Sequence, residues 1–154
     1  MITIRQCITI DAPLARVWSS VENIESHTQW MQDAVSIEFE SELHAGVGAA
    51  FSCLTRIGPL HTTDHFVVTR WEPATAAGSA TALMGIDHRG AVKGDAEFRL
   101  RALDADHTEF CWEERLQFPW WLGGPAGEQL GRPVLHRLWH GNLVRLKASI
   151  EGCE

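Results

Sequence analysis

The stretch from Gly131 to Lys147, GRPVLHRLWHGNLVRLK, decides the fold class, because its apolar residues recur at steps of three and four. The same period begins near Ala126 and predicts one long helix that closes the chain, with a kink in its first turns at Pro133. Its apolar stripe consists of Leu135, Trp139, Leu143, Leu146 and Ile150. Such a stripe must be buried, so the residues before the helix have to form a second layer.

The residues before this helix predict an antiparallel sheet. From Ile2 to Ile10, isoleucines stand at even positions with polar residues between them, which is the period of a half-buried strand. Similar alternation continues around residues 35–43, 98–100 and 110–118. Turn signals separate these segments at 46–48, 58–59, 72–78, 88–90 and 104–107, which predicts Asp87 and His88 as turn residues at a strand end. Strands joined by such short turns are antiparallel neighbours.

Two short helices are predicted between the first strand and the remaining strands. Asp11 caps the first helix, and Pro13 lies in its first turn, where a missing N–H costs nothing. The second helix covers Ile24 to Met31. The whole order predicts an α+β fold, in which a curved antiparallel sheet of six to seven strands wraps around the long C-terminal helix. We expect residues 1–154 to form a single domain.

Composition and charge narrow the classes of partner. Thirteen Lys and Arg against twenty Asp and Glu give a formal net charge of −7, which disfavours nucleic acid and anionic lipid as partners. No apolar run reaches the ~18 residues that span a bilayer, and the first residues lack the order of a signal peptide, so we expect a cytoplasmic protein. The cysteines lie far apart and form no CxxC pair, which predicts reduced thiols at Cys7, Cys53, Cys111 and Cys153, with a disulfide between the two ends of the chain as the open alternative.

A series of short motifs in fixed order resembles a known superfamily. The motifs are DAP at 11–13, VW at 17–18, GVG at 46–48, WEP at 71–73, TE at 108–109 and NLVRLK at 142–147. Together they resemble the START/Bet v 1-like superfamily (SRPBCC, the helix-grip fold), and more closely its bacterial polyketide cyclase/dehydrase branch. The resemblance implies a cavity between sheet and helix for a small hydrophobic ligand such as a lipid, polyketide, sterol or aromatic metabolite. It brings no catalytic residues, because the motifs are structural, and we expect no cofactor.

The wall of that cavity should draw on inward-facing positions of the sheet and the helices. The candidate ligand-binding residues are Trp30, Phe51, Trp71, Met84, Phe98, Phe110, Trp112, Glu114, Trp121, Leu138 and Asn142. The segment WWLGGPAG, residues 120–127, joins two large aromatic residues to glycines just before the closing helix. It predicts either a lid at the entrance or a loop whose indoles cover the end of the core.

Glu114 is the first candidate for a catalytic group. It shares a strand face with Phe110, Trp112, Leu116 and Phe118, because alternate side chains of a strand point the same way. An unpaired carboxylate on an apolar face is costly, so Glu114 needs a partner or a role. Three interpretations remain open: a cavity acid or base, an ion pair with one of several arginines, or a solvated residue beyond the strand. The candidate arginines are Arg56, Arg99 and Arg137.

Histidines supply the second set of candidates. His65 shares one strand face with Trp71, while Asp64 and Phe66 share the other. If the first face points inward, His65 and Glu114 form an acid–base pair; on an edge or surface strand, His65 is solvated.

His136 and His140 lie one helical turn apart, close enough for both to contact one cation. Arg137 stands where a zinc helix of the HExxH kind has its glutamate, and the spacing supplies no third ligand. We therefore expect no metal site and interpret both imidazoles as structural.

Three functions fit these observations. The first is a binding module that carries a small apolar or aromatic molecule. The second is an enzyme of the cyclase, dehydratase or aromatase type, in which Glu114 or His65 moves protons. The third is an interaction protein that docks through Trp120 and Trp121, either onto a partner or onto a second copy of this chain as a homodimer. We favour the first function, because it does not depend on a set of catalytic residues that the sequence fails to show.

Overall fold

The computed structural model describes residues 1–74 and 79–152. Seven strands form one sheet, and their bounds are β1 Ile2–Ile10, β2 Ala34–Phe39, β3 Ala50–Ile57, β4 Leu60–Glu72, β5 Thr81–Arg89, β6 Lys93–Ala102 and β7 Thr108–Gln117. The helices are α1 Leu14–Val21, α2 Gly124–Glu151, and two short 3₁₀ helices at Ile24–Gln29 and Trp120–Leu122. The predicted α+β order is confirmed.

The sheet is antiparallel throughout, with the spatial order β1-β7-β6-β5-β4-β3-β2. Five of its six neighbouring pairs follow the chain order, and β1 joins the end of the sheet beside β7. The sheet curves around α2, which packs mainly on β1 and β7. The predicted helix-grip architecture is therefore present.

Helix α2 presents its predicted stripe to the sheet. All five stripe residues are buried, and they form one core with the inward side chains of β1, β6 and β7. Pro133 lies inside the helix, on its exposed side. The helix ends at Glu151, and Gly152 follows with a left-handed φ of 70°, a conformation that glycine adopts without a Cβ penalty.

The short helices differ in detail from their predictions. Helix α1 begins at Leu14 with Pro13 in the N-cap position, so the prediction of Asp11 as the cap is wrong. Asp11 lies before the N-cap residue, and its backbone N–H donates to Oε2 of Glu151 at 2.8 Å, which ties this corner to the end of α2. The second helix is a 3₁₀ helix that ends at Gln29, before Met31.

The cysteine prediction is wrong for one pair. Cys7 of β1 and Cys111 of β7 stand directly opposite each other and form a disulfide. Their separation of 104 residues hid this pairing, because only the register of two distant strands brings them together. Cys53 is a free, buried thiol, and burial raises its pKa to about 11, so it stays protonated near neutral pH.

Two predictions fall wholly or partly outside the described residues: the thiol of Cys153 and the turn at 72–78. Within residues 1–74 and 79–152, no helix is long and apolar enough to cross a membrane.

Candidate functional site

A cavity remains between the sheet and α2, because the helix packs mainly against β1 and β7 at one end of the sheet and leaves the rest of the inner face uncovered. Its volume is about 370 Å³, within the range of small-molecule sites. Its wall is mostly apolar and includes Met31, Ile57, Phe66, Ile86 and Leu135. Such a space could hold about a dozen waters at ~30 Å³ each, or an organic molecule of moderate size.

Several predicted ligand-binding residues line this cavity. They are Phe51, Met84, Phe98, Trp112, Glu114 and Trp121. All but Trp121 come from inward-facing positions of β3, β5, β6 and β7, where the strand period points alternate side chains at the helix. Trp121 comes from the short 3₁₀ helix before α2 and stands half-exposed at one end of the cavity.

Two predicted tryptophans pack in the core instead of lining the cavity. Trp30 lies behind the wall, with its ring 5.9 Å from the rings of both Phe98 and Trp112. Trp71 packs edge-on against Trp18 of α1 at 5.3 Å. Trp30 thus supports the wall from behind it, whereas Trp71 joins β4 to α1.

Three more predicted residues also lie off the wall. Phe110 is fully buried behind Phe98, with a ring distance of 5.2 Å. Leu138 lines a separate groove on α2 and not this cavity. Asn142 is fully buried and contacts a residue of the wall instead of lining the cavity itself. Its Nδ2 donates to Oδ1 of Asp33 at 2.9 Å, and its Oδ1 accepts from the backbone N–H of Gln32.

Glu114 faces the cavity from β7, as the strand period predicts. The residue is only 6% exposed, so the interpretation of a solvated Glu114 is wrong. Arginine pairing is wrong as well, because among the described residues no arginine forms an ion pair with Glu114, and Oε1 of Glu114 lies 3.4 Å from Nε2 of His88. Arg137 is exposed. Arg56 instead contacts His61, and Arg99 contacts Glu97.

His88 is a site residue that the turn signal concealed. Strand β5 continues to Arg89, so the prediction of Asp87 and His88 as turn residues is wrong. The side chain of His88 is 8% exposed and lines the cavity. Neither of its ring nitrogens has a hydrogen-bond partner among the described residues, so at 3.4 Å its contact with Glu114 is mainly electrostatic.

Two small residues of β6 allow His88 and Glu114 to meet. His88 is the register partner of Gly94, and Glu114 is the register partner of Ala96, so β6 separates the two strands that carry the pair. Strands two apart lie about 10 Å from each other, and a large side chain between them would block the contact. Gly94 and Ala96 leave the space over β6 open.

Burial alone lowers the pKa of His88, because it disfavours the charged ring. The interaction with Glu114 and the charges of Asp64 and Asp95 act in the opposite direction, and the net pKa lies above the ordinary value. The site therefore favours an imidazolium beside a carboxylate.

Two further carboxylates face the same space. Asp64 of β4 is 7% exposed, and its Oδ2 accepts a hydrogen bond from Thr62 at 3.1 Å, while its Oδ1 has no partner among the described residues. Asp33 lies just before β2. Burial, with the charges of Glu114 and Asp64, raises the pKa of Asp33 despite its hydrogen bond from Asn142. The cavity thus has one polar wall of Asp33, Asp64, His88 and Glu114, here called the acidic wall.

His65 does not join this group. It lies on the outer face of β4, where its Nδ1 is 3.0 Å from Oε2 of Glu40. Of the two alternatives, the structure shows the surface one: Asp64 and Phe66 point inward, so their neighbour His65 must point outward. Trp71 nevertheless points inward, because a register shift between Val68 and Arg70 reverses the alternation.

The remaining histidines are structural or exposed. Nδ1 of His136 contacts Nε2 of Gln6 at 3.0 Å, and His140 is exposed. His27 lines the cavity, but burial lowers its pKa to about 4, and its Nε2 contacts the carbonyl of Val21 at 2.7 Å. Its ring is therefore neutral near neutral pH. Across residues 1–74 and 79–152, no group of three or more His, Cys, Asp or Glu is placed to hold a metal ion.

The segment before α2 forms one end of the cavity. Trp121 and Leu122 line it, whereas Trp120 is 87% exposed and points away. One indole thus lines the cavity and the other does not, so the alternative in which both indoles cover the end of the core is wrong for Trp120.

Sequence reasoning identified Glu114 but missed the rest of the acidic wall. A signal for Asp64 existed, since it shares a strand face with Phe66 and Val68, both of which are buried. No comparable signal existed for Asp33, which lies outside the regular strands.

Comparisons with known proteins agree with this architecture. The family model described as "Polyketide cyclase / dehydrase and lipid transport" matches residues 1–151. No curated protein matches the chain in sequence.

Among solved structures, the Zhui aromatase/cyclase of a Streptomyces species is similar with a TM-score of 0.74 and 16% identity, over 97% of this chain and 93% of that one. A Thermus thermophilus protein reaches 0.74 at 12% identity, over 99% of both chains. A hypothetical Helicobacter pylori protein reaches 0.75 at 11% identity, over 96% of this chain and 87% of its own. At these identities the likeness shows the fold alone.

Proposed function

Because the chain belongs to the polyketide cyclase/dehydrase and lipid transport family, we propose that it binds a small hydrophobic or aromatic molecule between the sheet and α2. One observation carries this proposal: the cavity of about 370 Å³ has a mostly apolar wall, with its polar groups gathered in the acidic wall. Burial of apolar ligand surface supplies the affinity, at about 25 cal/mol per Å². The acidic wall then orients the polar end of the ligand.

The pair of His88 and Glu114 favours a second candidate function, a dehydration of the kind that cyclases perform. In this reaction the Glu114 carboxylate takes a proton from a carbon beside a carbonyl group, and the His88 imidazolium gives a proton to a departing hydroxyl group. A carbon–carbon double bond forms, and one water leaves. The proton on Glu114 then returns to His88, whose ring lies 3.4 Å away. Positioned proton transfer of this kind contributes about 10²–10⁴-fold to a rate.

The binding proposal is tested by tryptophan fluorescence. Trp112 and Trp121 line the cavity, so a neutral naphthalene probe bound there should quench their emission in a saturable way. Ala96 lines the cavity from β6, and the change Ala96→Leu should fill part of the space and weaken binding about tenfold or more.

The matched control is Thr3→Leu, which adds a similar volume on the exposed face of β1 and should leave binding unchanged. Far-UV circular dichroism checks that both variants are folded. Absence of saturable quenching by the wild-type protein, or equal affinity of Ala96→Leu, would contradict the proposal.

A further inference from the structure

The charge of the acidic wall is unbalanced. Asp33, Asp64 and Glu114 line the cavity, and among the described residues His88 is the only lining histidine within 4 Å of one of these carboxylates. Among the described residues, no lysine or arginine lines the cavity. His27 is neutral near neutral pH, for the reason given above.

A fourth carboxylate at the edge of the cavity is already neutralised. Glu97 accepts from Arg70 at 3.2 Å and from Arg99 at 2.7 Å, on the opposite face of the sheet. The excess negative charge is thus confined to Asp33, Asp64 and Glu114.

The acidic wall also has hydrogen-bonding capacity that the protein leaves unused. Oδ1 of Asp64 is buried and accepts from no donor among the described residues, although Oδ2 of the same group is satisfied by Thr62. A buried acceptor without a donor costs free energy, which a ligand with N–H groups would recover.

The carboxylates also destabilise one another. Burial raises the pKa of Asp33, and the charges of Glu114 and Asp64 raise it further, which is the effect of like charges that share a low-dielectric space. A cation placed among them would relieve this repulsion. An anionic ligand would add to it.

We infer that the ligand carries a protonated amine at its polar end, and that the cavity selects such amines over neutral alcohols and over carboxylic acids of the same shape. An ammonium group supplies a positive charge and three N–H donors to the acidic wall. The hydrocarbon part of the same molecule lies against Phe51, Phe98 and Trp112. This inference rests on the proposed function, since it names the class of molecule that occupies the same cavity.

The experiment uses three probes of matched size: naphthylmethylamine, naphthylmethanol and naphthoate. Their dissociation constants for the full chain are measured by tryptophan quenching and by calorimetry at neutral pH and physiological ionic strength. We expect the amine to bind about tenfold or more tightly than the alcohol, and naphthoate to bind most weakly.

Two variants locate the selectivity. Asp64→Asn and Asp33→Asn each remove one carboxylate of the acidic wall with little change in shape. Each should reduce the ratio of amine to alcohol affinity severalfold, while the affinity for naphthylmethanol stays within about twofold. Glu42→Gln removes the same charge from an exposed position away from the cavity, and it should leave the ratio unchanged.

The outcomes separate this inference from the proposed function. Equal affinities for amine and alcohol, or tightest binding of naphthoate, would overturn the inference while the binding function stands. An unchanged ratio in both Asp64→Asn and Asp33→Asn would overturn it as well. If none of the three probes binds, both the inference and the proposed function fail.

Discussion

Strands β5, β6 and β7 carry charged residues on both faces, and the two faces treat them differently. On the outer face, Arg101 pairs with Glu109 at 3.1 Å, and both side chains are open to solvent. On the inner face, Glu114 pairs with His88, and both side chains are nearly inaccessible. The outer pair needs no support from the fold, because water solvates each partner. The inner pair, in contrast, depends on the sheet and α2, which exclude water from it. In that environment the two charges interact strongly, and the pair can transfer protons.

The largest expected effect comes from a substitution at Gly94 of β6, the strand that lies between those carrying His88 and Glu114. Gly94 has a φ of 141°, and a Cβ built there collides with the backbone carbonyl of Arg115. Gly94→Ala should therefore lower the free energy of unfolding by about 3 kcal/mol or more, measured by urea denaturation. Gly58→Ala is the control: its φ of 58° is also left-handed, but no atom lies within 4 Å of the added Cβ. Its cost should be about 1 kcal/mol, and equal costs would contradict the steric explanation.

The second prediction concerns the covalent link on the outer face. Replacement of Cys7 and Cys111 by serine removes a cross-link between residues separated by 104 positions. We expect a loss of about 2–4 kcal/mol in the free energy of unfolding, because the unfolded chain gains conformational freedom. Thiol titration of the denatured wild-type protein, before and after reduction, checks that the disulfide forms. Identical unfolding of the wild-type protein with and without a reductant would contradict this role.

The third prediction tests the inner pair itself. Glu114→Gln keeps the size of the side chain but removes the charge that favours protonated His88. The free energy of unfolding should fall by about 1–3 kcal/mol at acidic pH, and the pKa of His88 should decrease. NMR titration of the histidine ring measures that pKa. An unchanged pKa would show that Glu114 does not interact with His88.

The pH dependence of this loss has a definite sign. The pKa of His88 is higher in the folded protein than in the unfolded chain, so its contribution to stability is fully present below about pH 6.5. That contribution disappears as the pH rises through the folded pKa. The wild-type protein and Glu114→Gln should therefore differ most at acidic pH and converge on the basic side. A difference that grows with pH would contradict the raised pKa.

The smallest effect belongs to the outer face. Arg101→Gln removes the partner of Glu109, and both side chains are exposed enough for water and salt to screen them. The free energy of unfolding should change by no more than about 0.5 kcal/mol, and less at high salt. A larger loss, comparable with that of Glu114→Gln, would remove the contrast between the two faces.

The strand period accounts for what could be predicted of the site. It placed Glu114 on the same face as Trp112 and Leu116, and all three are buried. It could not place His88, because the signal HRG at 88–90 favours a turn, while the register with β6 extends β5 to Arg89. His65 was paired with Glu114 only on the assumption that its face of β4 points inward. Neither face of β4 is cleanly apolar, so the period could not choose between them.

Patterns within the amino-acid sequence are enough to predict the order of strands and helices, the buried stripe of α2 and the antiparallel sheet that covers it. These features depend on local periodicity and on short turns, which a chain carries within a few residues of each position. The tertiary structure alone decided that Cys7 meets Cys111, that His88 reaches Glu114 across Gly94, and that Asp33 and Asp64 face the same cavity. These contacts depend on the register and curvature of strands far apart in the chain, and local periodicity contains no information about either.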